Sequence, residues 1–341
     1  MNKKFEIITI GSVTRDFFLQ SQAFKVVKDK DFVTGEAQCF AFGTKVEIDG
    51  LTLDNGGGAA NCAVTFARQG LKTGFVGKVG DDHSGKVIAE SLKKEGIDLR
   101  FVKKVSQIRT ATSFIMLTDS GERTILNFNG ASGTWQENDI PFDVLVNPRL
   151  KPQWILISSL RGNLDLYLKI ISFAKQNKIK VATLLGMAEL KHGARSLASI
   201  LSGSDVFVLN RHEASLLTGV SYEMPDQVTH SLCLLTAGLG VVTNGQNGAT
   251  VCDARRFWQI KARKVDVVDT TGAGDAFASG FVAGLVKNQS IEKALQVAVD
   301  NSASVVSQIG AQKGVLKKNQ NPFKNKIPVD VKSIVQKRAA F

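Results

Sequence analysis

The sequence predicts an α/β protein, a mainly parallel sheet covered by helices with a small β unit beside it. Three observations carry this. From Trp154 onward, short apolar runs alternate with helical patterns: 154–158 then 164–177, 181–185 then 190–201, 206–209 then 213–218. Such alternation builds parallel sheets with helices on their faces. Phe5 to Gly11 is an apolar run closed by glycine, as a buried first strand would be. Residues 20–53 carry strand-formers in short runs without helical periodicity, which suits a separate small sheet.

In chain order, Asp16 lies just beyond the first strand. Open α/β sheets bind ligands there, and an ordinary loop aspartate is the alternative. Strands are expected at 24–27, 39–42 and 45–48, with Asp49-Gly50 as a hairpin turn. Glycines 56–58 then lead into an amphipathic helix with Gly70 as its C-cap. Their spacing is wrong for a dinucleotide-binding turn, and they do not follow the first strand. A strand and turn over 75–85 precede a helix over 86–95. Asp81 and Asp82 suit turn and capping roles better than metal ligation, and His83 suits a surface turn. Two strands, 110–118 and 123–128, flank the turn-rich residues 119–122, and Arg123 reads as a surface arginine. Asn210 and Glu213, three apart after a strand, suit a helix capping box. A strand and glycine hairpin follow over 240–249, and another helix over 291–308.

Composition bounds the function. The chain has 341 residues, 43% of them hydrophobic, enough for one large domain or two ordinary ones. No apolar run approaches the roughly 18 residues that span a bilayer. The N-terminal run is too short and too interrupted for a signal peptide, so a cytoplasmic protein without a membrane partner is expected. Cys39, Cys62, Cys233 and Cys252 are widely spaced, which argues for reduced thiols over a disulfide framework or zinc site. The net charge of +12 is concentrated at the end: residues 313–341 hold eight Lys/Arg against Asp330 alone. A solvated terminus is the reading favoured over a nucleic-acid contact, because no binding motif or aromatic platform accompanies it.

The most informative stretch is Asp269-Thr270-Thr271-Gly272-Ala273-Gly274-Asp275-Ala276-Phe277. Residues 260–268 read as a strand ending in apolar β-branched residues. Ala276, Phe277, Gly280, Phe281, Gly284 and Leu285 follow at helical spacing. Strand, glycine turn and helix place the amides of Gly272, Ala273 and Gly274 at a helix N-terminus, where free N–H groups and the helix dipole attract anions. Asp275 beside that anion hole is explained by a general base that takes a proton from an attacking hydroxyl. The alternative is a capped helix with glycines for tight packing.

This stretch resembles the C-terminal signature of the ribokinase-like carbohydrate kinases, of phosphofructokinase-B type. Gly56, Gly57 and Asn61 resemble the family's N-terminal signature. The resemblance implies a three-layer αβα ribokinase-like fold with a mainly parallel central sheet and a small β-sheet lid over the sugar. On that basis residues 1–16, 54–100 and 129–315 form a discontinuous α/β kinase domain, 17–53 and 101–128 the lid, and 316–341 a basic tail. It implies that Asp16, Gly56, Gly57 and Asn61 bind the sugar. It also implies ATP as co-substrate, with Asn210, Glu213, Thr243, Gly245, Asn301 and Gly310 at the nucleotide. Glu213 would act on Mg²⁺ through water, and Asp269 and Thr271 border a monovalent-cation site for K⁺ of the kind some relatives have. The chain departs from the family at Arg211 and His212, inside its Asn-Pro-Asn-Glu motif, and before Gly310-Ala311, where the family's Thr-Arg is missing.

The expectation is therefore phosphoryl transfer from ATP to a sugar hydroxyl. A nucleoside kinase on the same scaffold is the alternative, with Phe17, Phe40 and Phe42 as a slot for the base. A non-catalytic sugar-binding regulator is the other. The lid sheet could also pair with a second subunit, giving a homodimer.

Overall fold

The fold follows from strands whose successive residues feed two different apolar layers. In the strand Ile7–Ile10, Ile8 and Ile10 join one buried cluster and Ile7 joins another. Ile155 and Ile157 alternate in the same way with Trp154 and Leu156, and Phe207 and Leu209 with Val206 and Val208. Period-two alternation with both faces apolar requires a sheet covered on both sides. Helices Leu164–Gln176, Gly193–Gly203, Arg211–Thr218 and Pro225–Leu235 cover the first face. Helices Gly58–Arg68, Ala273–Val286 and Ile291–Val306 cover the second. Each fully buried Leu, Ile or Phe contributes about 1.5–3 kcal/mol relative to exposure. The computed structural model describes residues 4–30, 32, 35–118 and 123–333.

The central sheet has ten strands. Six adjoining strands and one edge strand run parallel: Leu239–Thr243, Val206–Asn210, Lys180–Leu184, Trp154–Ile157, Ile7–Ile10 and Thr73–Gly80, then Asp98–Val105 at the edge. Ala249–Cys252, Arg256–Ile260 and Val329–Ser333 extend the other edge antiparallel. A second sheet of four strands runs Gly50–Gly56, Thr14–Gln20, Thr112–Leu117, Arg123–Phe128.

Several expected boundaries move. Residues 101–105, expected in the lid, belong to the edge strand of the main sheet, because Phe101 is buried in the core beside Phe5. Asp16 lies within a lid strand rather than in a loop, since the chain re-enters a strand at Thr14. The strand expected at 24–27 forms as Lys25–Lys28, but its partner is Glu36–Cys39 rather than 39–42, and residues 45–48 make no strand. The turn expected at 119–122 lies outside the described residues.

The tail is not simply solvated. Strand Val329–Ser333 pairs with Arg256–Ile260, and Ile327 and Val329 pack against the second cluster. Lys337 and Arg338 lie outside the described residues. Cys233 and Cys252, expected as free thiols, are joined in a disulfide. The helix carrying Cys233 packs on the strand carrying Cys252, and their Cα atoms are 6.0 Å apart, within disulfide reach. Among the described residues no helix is long and apolar enough to cross a membrane.

Candidate active site

The segment before the glycine turn is not a strand throughout. The strand stops at Ile260, and residues 261–267 are irregular. Val267 and Val268 stay exposed, and the amides of Val268 and Asp269 donate to Val306 O at 2.8 and 3.2 Å. The chain is therefore held by the end of a helix rather than by a ladder. Asp269 is buried and ties two loops together. Its Oδ1 accepts from Thr271 N at 2.9 Å and its Oδ2 from Gly310 N at 3.0 Å. Gly272 caps the helix at φ 77°, a left-handed conformation suited to glycine, and a Cβ there would lie 2.8 Å from Ala311 Cα. Ala273 N makes a long bond of 3.3 Å to Thr270 O, so it is partly engaged. Among the described residues no protein acceptor takes the amide of Gly272 or Gly274.

Asp275 occupies the first turn of the helix Ala273–Val286, partly buried. Asn61 Nδ2 donates to its Oδ2 at 2.8 Å, and Gln312 Nε2 donates to Asn61 Oδ1 at 3.0 Å. Burial pushes the Asp275 carboxyl above its usual range, and the Asn61 hydrogen bond opposes this. A basic carboxylate is what proton abstraction from an alcohol needs. Asn61, expected to touch the sugar, thus has both ends of its amide engaged by protein and holds Asp275. A Cβ on Gly58 would meet Asp275 Oδ1 at 3.4 Å and Ser158 Oγ at 3.5 Å. The Ser158 hydroxyl is buried without a partner.

On the lid side, Asp16 is 4% exposed and its Oδ1 has no partner. Burial pushes its pKa up to about 6, against the Thr14 and Ser113 hydroxyls, and Asp54 adds to the rise. A side chain on Gly56 would collide with the Asp16 carboxylate, so this glycine makes room for it. Gly57 sits at φ 92°, and a Cβ would lie 2.5 Å from Val13 Cα. The lid meets the core where Phe18, Ile115 and Leu117 pack on Ile309 and where Arg123, expected at the surface, donates to the Thr270 hydroxyl.

Across the turn lies a cleft of about 900 Å³, lined among others by Thr243, Gly245, Lys261, Gly274, Ser302 and Val306. Its volume suits a nucleotide-sized ligand. Thr243 and Gly245 line it as expected. Asn301 does not: it is wholly buried, donating to Ala276 O at 2.9 Å and accepting from Leu316 N at 2.9 Å. Its neighbour Ser302 takes the lining position, because one helical step turns the side chain by 100°. Gly310 also stands off the cleft, bonded to Asp269. Asn210 and Glu213 form a reciprocal capping box, each donating a backbone N–H to the other's side chain at 2.9 Å. Burial raises the Glu213 pKa; the Asn210 bonds oppose this and the Asp275 charge adds to it. The Asp275 charge thus reaches Glu213, although neither Asn210 nor Glu213, both expected at the nucleotide, lines the cleft.

The aromatic slot does not form. Phe17 points to the face opposite Asp16 and stacks on Phe114 at 5.2 Å, Phe40 meets Phe24 edge-on, and Phe42 is fully exposed. Ser158, Gln312 and Asp54 went unnoticed in the sequence. Ser158 could have been found, since it ends an apolar run where open sheets bind ligands.

A family model described as pfkB family carbohydrate kinase matches residues 6–318. Ribokinase of Haemophilus influenzae is 28% identical over 91% of this chain and 94% of its own. Among solved structures, Arabidopsis thaliana ribokinase complexed with ribose and ATP is similar at TM-score 0.76 and 22% identity, covering 93% of this chain and 97% of that one. Adenosine kinase from Sinorhizobium meliloti is similar at TM-score 0.75 and 21% identity, covering 91% and 96%. The structures share the fold, and the match across nearly the whole sequence goes further: the chain belongs to the pfkB family of carbohydrate kinases and is an ATP-dependent member of it.

Proposed function

We propose that this kinase phosphorylates a hydroxyl of a small sugar, with Asp275 as general base. The observation that carries the reading is the placement of Asp275, held by Asn61, in the same helical turn as the open amides of Gly272 and Gly274. The sugar hydroxyl gives its proton to Asp275 as its oxygen bonds to the γ-phosphorus. The bond to the β-phosphate oxygen breaks, and ADP leaves. The Gly272 and Gly274 amides, with Ala273 contributing less, stabilise charge on the transferred group. Asp16 holds sugar hydroxyls, and Gly56 and Gly57 let the sugar approach the backbone. Asn61 acts by orienting the base. The nucleotide lies in the cleft against Thr243, Gly245 and Ser302.

Mg²⁺, when bound, offsets phosphate charge. Glu213 is the residue to hold it through water, having one carboxylate oxygen outside its capping bond and a neighbour of like charge in Asp275. A monovalent cation such as K⁺ fits the buried Asp269 carboxylate and the unpartnered Thr271 hydroxyl. The nucleoside alternative loses support because Phe17 lies on the lid face opposite Asp16, Phe40 packs edge-on against Phe24 and Phe42 is fully exposed.

A homodimer through the lid is part of this reading. Leu51, Leu53, Phe17, Phe114, Leu126 and Phe128 share the lid face that points away from Asp16, and all but Phe17 are largely exposed. A second copy offers the same apolar face in return. Light scattering of the purified chain tests this, with a monomer counting against it. The activity is tested by ATP and Mg²⁺ with ribose, fructose and adenosine. Sugar phosphate is expected, lost by ~10²–10⁴-fold in Asp275→Asn. Near-normal turnover in that folded variant overturns the role.

A further inference from the structure

Asp16 is not the only carboxylate on the inner face of the lid. Strands Thr14–Gln20 and Gly50–Gly56 pair antiparallel, and their register sets Asp16 directly opposite Asp54. Side chains opposed in this way have Cβ atoms about 4.5–5.5 Å apart, and like charges so placed repel. Each carboxylate keeps one oxygen that no protein donor meets, Asp16 Oδ1 and Asp54 Oδ2, both buried. Among the described residues the only bond to the Asp54 carboxylate is from its neighbour Asn55 N, at 2.8 Å. Asp54 Oδ2 packs against Gly310, which brings no side chain.

Lys313, Arg15 and Arg68 lie near enough to lower the Asp54 pKa, but none of them bonds either carboxylate. The guanidinium of Arg15 lies elsewhere, donating to Asp54 O at 3.0 Å and Asn55 Oδ1 at 2.9 Å. Among the described residues no ion pair includes Asp16 or Asp54. Nor do the described residues supply a third acidic, His or Cys group to complete a metal site.

From this opposed pair we infer that Asp54 is a specificity-determining residue and that the preferred substrate carries an ammonium group, as an amino-substituted sugar does. This rests on the sugar-kinase reading of the same site. An ammonium has three donors and no acceptor, so it can bond both unpartnered oxygens and neutralise the repulsion. A neutral sugar supplies donors but leaves two facing charges, one of which must take a proton. The groups facing the pair set its pH range. Lys313, Arg15 and Arg68 lower Asp54 against its burial, while the Thr14 and Ser113 hydroxyls and Arg15 lower Asp16. The preference for an amine therefore grows as pH rises through about 6, where Asp16 ionises.

The test measures kcat/KM of the full chain with ATP and Mg²⁺ on matched pairs: D-glucosamine with D-glucose, and 1-amino-1-deoxy-D-fructose with D-fructose. At pH 7.5 at least one amine is expected to exceed its neutral partner by about tenfold or more, the discrimination one charge-assisted hydrogen bond supplies. Asp54→Asn, checked for folding by its melting temperature, is expected to bring that ratio close to one. Neutral sugars phosphorylated as well as their amines would overturn the inference and leave the kinase reading standing. A ratio unmoved by Asp54→Asn would also overturn it. Phosphorylation of no sugar in either set would overturn both.

Discussion

The amide of Asn61 donates to the carboxylate of Asp275 across 2.8 Å, joining residues 214 positions apart. Because Gln312 holds the other end of that amide, Asp275, the proposed proton acceptor, is fixed by a chain of two hydrogen bonds. Asn61→Ala removes the bond that lowers the Asp275 pKa, so this pKa rises further. The base works deprotonated, and the acid limb of kcat/KM should move to higher pH. A hydrogen bond to a charged group is worth ~1.5–3 kcal/mol, or about 10–100-fold in rate. A pH–rate profile that falls in amplitude without shifting its acid limb would assign Asn61 to sugar contact instead.

Gly57 and Gly58 are adjacent but should fail differently. A Cβ at Gly57 meets the backbone of Ser12 and Val13 at 2.5–2.8 Å, in a positive-φ conformation. Gly57→Ala should destabilise by more than about 1 kcal/mol. At Gly58 the nearest atoms are Ser158 Cβ at 3.3 Å and Asp275 Oδ1 at 3.4 Å, both in side chains. Gly58→Ala should keep its melting temperature, since alanine favours a helix start, and lose kcat by crowding the base. Thermal unfolding and kcat on the two variants check the split, and equal melting losses would sink it.

The parallel sheet was legible because its strands are apolar on both faces and alternate with helices. The glycine turn and the helix that carries Asp275 were legible because those residues are local in sequence. What stayed hidden depends on distant pairing. The hydrogen bonds of Asn61 to Gln312 and Asp275 join residues more than 200 positions apart, so the sequence alone does not show them. Asn301 reads as a nucleotide contact until helix rotation turns it into the core and Ser302 into the cleft. Asp54 looks like a residue before glycines until strand register sets it against Asp16. Val267 and Val268 mislead in the other direction, since β-branched residues suggest a strand that no neighbour pairs.

The buried Asp16 should make stability depend on pH. Its pKa in the folded chain, about 6, is above the 3.8 of an ordinary aspartate, chiefly through burial. The protonated form suits the fold, so the stabilising contribution is full below about pH 4 and is lost as pH rises through 6. The loss amounts to about 3 kcal/mol at most. Asp16→Asn should therefore melt several degrees higher than the native chain at pH 7.5, with the gap closing by pH 4, while kcat/KM for sugar falls. Parallel melting curves for the two proteins across pH 4–8, measured without substrate, would contradict this.

The strand Val329–Ser333 and the segment leading to it lie past residue 318, where the family match ends, yet they brace a residue of the cleft proposed for the nucleotide. Arg263 lines that cleft, pairs with buried Asp300, donates Nη2 to Asn325 O at 2.7 Å, and sits 4.5 Å over the Phe323 ring. Asn321 holds the other oxygen of Asp300. Truncation after Lys318 removes Asn321, Phe323 and Asn325 together and bares the edge of Arg256–Ile260. The Arg263–Asp300 pair is then opened to water and Arg263 is freed to move. The expected outcome is a lower melting temperature with a several-fold higher KM for ATP and little change in KM for sugar. Arg263→Ala, which strands a buried carboxylate, should destabilise by about 3–5 kcal/mol. A truncated chain that keeps both its melting temperature and its KM for ATP would show the extension to be an appendage rather than a wall of the cleft.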